Sequence, residues 1–203
     1  MTRATPRATP GNGVAEPRPA AAGALKIAVV GGFGAGRSTM VRSVSEIRPL
    51  HTEEAMSADS LVDDACARVP AKTATTVALD FGRITIDEQR VLYLFGTPGQ
   101  ERFRFLWDRL LSGTTGAVVL VDTRAVTDAW YAIDRLQRHG TPFIVAVNDF
   151  GGPFRSADEI RDALGLTPGV PLVEFDARDH SSSKFVLIAL VDHLGTLGPG
   201  GCS

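Results

Sequence analysis

The hydrophobic pattern switches period repeatedly along this chain. Four short apolar runs, "LKIAVV", "GAVVLVD", "PFIVAVND" and "PLVEFDA", are rich in β-branched residues and bounded by glycine, proline or polar residues. Such runs predict strands buried on both faces. "TVALDFGRITI" and "RVLYLFG" flank "DEQ" and predict two further strands joined by a hairpin turn. Helical spacing fills the gaps. A helix is predicted from about Ser38 to Ile47. "TDAWYAIDRLQRHG" is amphipathic, opening on Thr127 or Asp128 as cap and stopping at Gly140. In "SADEIRDALG", Ser156 and Glu159 are spaced as a capping box, and "SSSKFVLIALVDHLGTL" is the last helix. Strands alternating with helices predict a mostly parallel sheet covered on both faces, with the hairpin adding an antiparallel edge strand.

Residues 1–24 are different material: Ala, Pro, Gly and Arg with almost no large apolar side chain. Such a segment cannot bury enough surface to offset its ordering entropy, so it is expected to be a flexible tail, with 198–203 a flexible end. The folded domain is expected over 25–197.

Composition narrows the function classes. The chain has 203 residues, a net charge of −2 and two cysteines, Cys66 and Cys202, far apart in sequence. No basic field argues for nucleic acid, and no cysteine spacing argues for zinc or a disulfide framework. The apolar runs all fall short of the ~18 residues that a membrane span needs. A cytoplasmic protein is expected, which partners could bring to a membrane. His51, His139, His180 and His193 are isolated and lack metal-ligand spacing. Trp107 and Trp130 lie on helical patterns, facing either the core or a partner.

Ligands of open α/β sheets sit beyond the carboxyl ends of the strands. Four stretches fall there: "GGFGAGRST", "FGTPGQERF", "VNDFGG" and "DARDHSSSK". The first fits the phosphate-loop pattern G-x-x-x-x-G-K-[ST] except that Arg37 stands at the Lys position. Glycines let backbone N–H groups wrap a phosphate, the following helix presents its positive end, and Ser38 offers a hydroxyl to Mg²⁺. None of these needs the Lys. Arg37 is longer, planar and forked, so it would meet phosphate from a different place. The expected phosphate surface is Gly31, Phe33, Gly34, Ala35, Gly36, Arg37, Ser38 and Thr39. The dinucleotide fingerprint G-x-G-x-x-G fails from Gly32 and from Gly34, because Arg37 and Thr39 occupy its third glycine.

"TTVALDF" followed by "LFGTPGQERF" resembles the switch regions of Ras-like small GTPases. The likeness is to the bacterial branch with a TPGQ-type second switch, as in gliding-motility MglA and the conservon-encoded small GTP-binding proteins, and covers about residues 25–197. It implies a three-layer P-loop NTPase of the G-domain type, with a mostly parallel six-stranded sheet and one antiparallel edge strand. It implies GTP or GDP with Mg²⁺, the metal held by Ser38 and Thr76. Gly99 matches the glycine that senses the γ-phosphate, and Gln100 the residue that orients the attacking water. Gln100 and Arg37 are thus the catalytic candidates. Asn148 matches the start of the N-K-x-D guanine motif, with Asp149 beside it, and Ala177 and Arg178 match the short loop at the base.

Three positions depart from that pattern. Arg37 replaces the Lys. Gly96 stands where many relatives place an Asp that serves Mg²⁺ through water; Asp80 is one candidate substitute, with a solvated strand residue the bland alternative. Gly151 stands where an Asp reads guanine. The resemblance implies a molecular switch in bacterial signal transduction, with slow hydrolysis and a need for a partner. It suggests a Roadblock-type regulator and a membrane sensor kinase as partners. A nucleotide-independent interaction module and a P-loop ATPase are the alternatives.

Overall fold

The computed structural model describes residues 23–48, 50–56, 75–98, 106–150 and 156–197. A seven-stranded sheet forms its centre, in the order β2-β3-β4-β1-β5-β6-β7. The strands are β1 (Ala24–Gly31), β2 (Leu50–Met56), β3 (Thr75–Thr85), β4 (Val91–Gly96), β5 (Gly116–Asp122), β6 (Phe143–Asn148) and β7 (Leu172–Phe175). The helices are α1 (Arg37–Val44), α2 (Trp107–Leu111), α3 (Trp130–His139), α4 (Ala157–Leu164) and α5 (His180–Thr196). β3 pairs antiparallel with both β2 and β4, while every other pairing is parallel. It therefore runs alone against the rest.

The period-2 alternation of β1 divides the core into two layers. Ile27 and Val29 point to one face, where Met40 and Val41 of α1 and Val186, Leu187 and Leu190 of α5 cover them. Ala28 and Val30 point to the other, under Ile133 and Leu136 of α3, Ile160 of α4 and Trp107 of α2. All of these are buried. Burying each large aliphatic side chain contributes about 1.5–3 kcal/mol, so the two layers hold the sheet between its helices.

All six expected strands are present. The seventh, β2, was not announced: "LHTEEAM" carries two glutamates and no apolar alternation. It puts β3 one place inside the sheet edge. The hairpin turn is as expected, with Asp87 Oδ1 accepting from the backbone N–H of Gln89 (2.9 Å) and Arg90 (2.8 Å). The capping box of α4 is present in both directions, at 2.8 and 3.2 Å. Two boundaries differ. α1 stops at Val44, short of Ile47, because Ser45 turns extended and the Glu46 carboxylate accepts from Thr85 N–H and Oγ1, both at 2.9 Å. Thr127 and Asp128 do not cap α3; they lie in a 3₁₀ turn, Val126–Ala129, that leads into it without a side-chain cap. α3 does end at Gly140, in the left-handed conformation with φ 63°. Trp107 is core, whereas Trp130 is exposed, its indole N–H bonded to Ala163 O at 2.9 Å.

Candidate nucleotide site

The sheet reverses its strand order beside β1, which has β4 on one side and β5 on the other. The loop after β1 therefore opens at a switch point, where α/β sheets bind ligands. Residues Gly31–Gly36 make this loop. Gly31, Gly34 and Gly36 have φ of 150°, 79° and 99°. At Gly36 a side chain is excluded twice over: the backbone is left-handed, and a Cβ would lie 2.4 Å from Asn148 Nδ2. The loop closes through Ala35 N–H to Gly32 O (3.3 Å), and the first α1 bond runs from Met40 N–H to Gly36 O (2.8 Å). The N–H groups of Arg37, Ser38 and Thr39 precede any helical acceptor, and no side chain caps this end of α1. Uncapped donors at a helix N-terminus below a glycine loop form an anion cradle. Phe33, Gly34, Gly36, Arg37, Ser38 and Thr39 line an open cleft there.

Polar side chains tie this cradle to the neighbouring strands. Ser38 Oγ donates to Asp80 Oδ2. Asp80 is the register partner of Gly96, so a β3 carboxylate reaches the carboxyl end of β4. Arg37 Nη1 donates to the carbonyl of Thr97, just past β4. Burial pushes the Arg37 pKa down, and the charge of Asp80 opposes that shift. The guanidinium remains a cation at neutral pH. Arg37 thus lines the cradle while one arm of its guanidinium is engaged just past β4.

The neighbouring side of the site is built on Asn148, which is buried at the end of β6. Its amide donates to Ala35 O (3.1 Å) and its carbonyl accepts from Ala177 N–H (3.0 Å). One side chain therefore fixes the phosphate loop to the loop after β7. Gly36, Thr39, Asn148, Asp149, Phe150, Asp176, Ala177 and Arg178 enclose a cleft of about 130 Å³. Arg178 forks onto Asp176 (Nε to Oδ1 2.9 Å, Nη2 to Oδ2 2.8 Å), which holds that carboxyl below its usual range. Phe150 lines the cleft and carries the Arg124 guanidinium 4.3 Å from its ring centre. Arg124 in turn forks onto Asp122, lowering that carboxyl's pKa chiefly through the side-chain bond.

The structure brings together Gly31, Phe33, Gly34, Ala35, Gly36, Arg37, Ser38, Thr39, Asn148, Asp149, Ala177 and Arg178. It places Thr76 elsewhere. Thr76 pairs with Ala55 in the β2–β3 arm, four residues before Asp80. At the strand rise this is about 13 Å along β3 from Asp80. Gly99, Gln100 and Gly151 lie outside the described residues. The residues that sequence reasoning did not single out are Thr97, Phe150 and Arg124. Their roles come from contacts across the sheet, and no local spacing marks them. No cluster of three or more His, Cys, Asp or Glu able to hold a metal occurs among the described residues. A hard cation here would draw on Ser38, one carboxylate and phosphate oxygens, a donor set that suits Mg²⁺.

The fold is that of a three-layer P-loop domain of the G-domain type. The fold matches the crystal structure of the G domain of the T. maritima FeoB iron transporter, with TM-score 0.58 and 15% identity over 85% of this chain and 98% of that one. The FeoB G domain of Methanococcus jannaschii matches equally, covering 99% of that chain. Residues 29–197 match a family model, and the chain belongs to that family, described as conserved hypothetical ATP binding protein. The uncharacterized protein MJ1339 of Methanocaldococcus jannaschii is 32% identical over 98 residues, 48% of this chain and 51% of that protein. The chain thus spans about half the length of this curated relative. No helix among the described residues is long and apolar enough to cross a membrane.

Proposed function

We propose that this protein is a guanine-nucleotide-binding switch that hydrolyses GTP slowly without a partner. The observation that carries the reading is Asn148, whose two amide bonds tie the glycine loop to the loop after β7, beside a cleft that a purine base would enter. Phosphate meets the loop N–H groups and the α1 terminus, and the base enters the cleft between Phe150, Asp149 and Ala177. Ser38 supplies a metal ligand. Mg²⁺, when bound, would neutralise charge on the β- and γ-phosphates. Gln100 orients the water, and Thr76 with Gly99 closes on the γ-phosphate, as the resemblance implies. Thr76 lies about 13 Å along β3 from Asp80, so its closing on the γ-phosphate would require the β2–β3 arm to be redrawn. A role in signal transduction, the Roadblock-type regulator and the sensor kinase rest on the resemblance alone.

A second reading is an ATP-binding protein. The family description favours it, and so does Gly151, which cannot supply the carboxylate that reads guanine. The switch itself is tested by hydrogen exchange of the purified chain with GDP and with a non-hydrolysable GTP analogue. Exchange in residues 50–85 is expected to differ between the two. Identical exchange would remove the switch and leave at most a nucleotide-binding module.

A further inference from the structure

For the carboxylate near the loop serine the sequence offers Asp80 only as a candidate, with a solvated strand residue as the alternative. We propose that Asp80 is the carboxylate of the Mg²⁺ site, delivered from β3 into the space that Gly96 leaves open on β4. The inference rests on the nucleotide reading above and names a ligand within that same site.

Three observations carry it. Ser38 Oγ donates its proton to Asp80 Oδ2, which leaves the hydroxyl lone pairs for a cation. A serine that ligates a metal while donating to a carboxylate has its orientation fixed by that carboxylate. Second, Asp80 packs closely over Gly96. A Cβ built on Gly96 would lie 3.0 Å from Asp80 Cβ and 3.3 Å from its Oδ2. These contacts are tighter than ordinary van der Waals distances, so the glycine gives Asp80 its room at this spot. Third, Thr97, the residue after Gly96, is buried and its hydroxyl has no hydrogen-bond partner among the described residues. A buried hydroxyl is rarely left so, which marks an unmet polar group next in sequence to Gly96. Arg37 lies close enough for its charge to interact with Asp80 and bonds the Thr97 carbonyl, so it balances the carboxylate when no cation is present.

The test measures release of a fluorescent GDP analogue against Mg²⁺ concentration, with EDTA as the metal-free reference. It also measures Mn²⁺ affinity of the GDP complex by electron paramagnetic resonance. Asp80→Asn keeps the shape and removes the charge. It is expected to weaken Mg²⁺ and Mn²⁺ by about 10–100-fold, the range for a lost carboxylate partner, measured relative to each variant's own release in EDTA. The pair Asp80→Gly with Gly96→Asp returns a carboxylate from the other strand and is expected to recover most of the metal affinity. Wild-type metal affinity in Asp80→Asn would overturn the proposal, as would nucleotide binding by the wild type with no metal dependence. If the single variant does not fold, the paired variant decides: folded without metal recovery, it overturns the proposal. A wild type that binds no nucleotide at all would remove the nucleotide reading, and this inference with it.

Discussion

Individual residues here act by excluding as much as by contacting. Gly36 and Gly34 both lie at positive φ, 99° and 79°, yet their surroundings differ. Around Gly34 a Cβ would meet nothing within 4 Å, whereas at Gly36 it would meet the Asn148 amide at 2.4 Å. Gly34→Ala is therefore expected to lose only the left-handed backbone penalty, about 1–2 kcal/mol. Gly36→Ala adds the overlap with Asn148 and the displacement of its two loop bonds, so it should lose about 1–3 kcal/mol more. Urea unfolding of the two variants side by side checks the difference. Equal losses would mean that Asn148 yields freely and does not lock the loops. The sequence shows why glycine suits a phosphate loop, but the particular neighbour that forbids a side chain is visible only once β6 is placed beside β1's loop. Asp80 is similar. The sequence offers it as a candidate metal carboxylate or a solvated strand residue, and the pairing with Gly96 gives it a place.

Among elements, those legible in the sequence are the ones whose signals are local. α4 is written out completely: an N-cap serine, a glutamate three residues on, and Gly165 at φ 61° to end it. Ser156→Ala should reduce stability by about 1 kcal/mol, measured as a shift in thermal midpoint, since it removes an exposed cap and nothing else. A loss near zero would mean that α4 is held by Ile160 and Leu164 alone. The buried strands β1, β5 and β6 are equally plain, because hydrophobic runs of that length fit little else. β2 was missed for the opposite reason. Its pairing to β3 comes from backbone hydrogen bonds at a sheet edge, and an edge strand needs no apolar alternation. The early end of α1 was hidden too, because it depends on Glu46 reaching Thr85 across the fold.

For the whole molecule, topology converts scattered motifs into one site. Loops after β1, β6 and β7, with the carboxyl end of β4, meet at one edge of the sheet because parallel strands all point that way. This convergence was legible before any coordinate, since it follows from strand order and motif position. The lining of the cleft was not, because it depends on side-chain contacts: Phe150 on Arg124, and Asp176 held by Arg178. The family description speaks of ATP, while the site's resemblance is to guanine-nucleotide switches. The most direct measurement is an equilibrium titration of the purified full chain with fluorescent GDP and ADP analogues, each with Mg²⁺ and with EDTA. Tighter binding of GDP than of ADP, strengthened by Mg²⁺, is the predicted result. Preference for ADP, or no binding of either, would contradict a guanine-nucleotide switch.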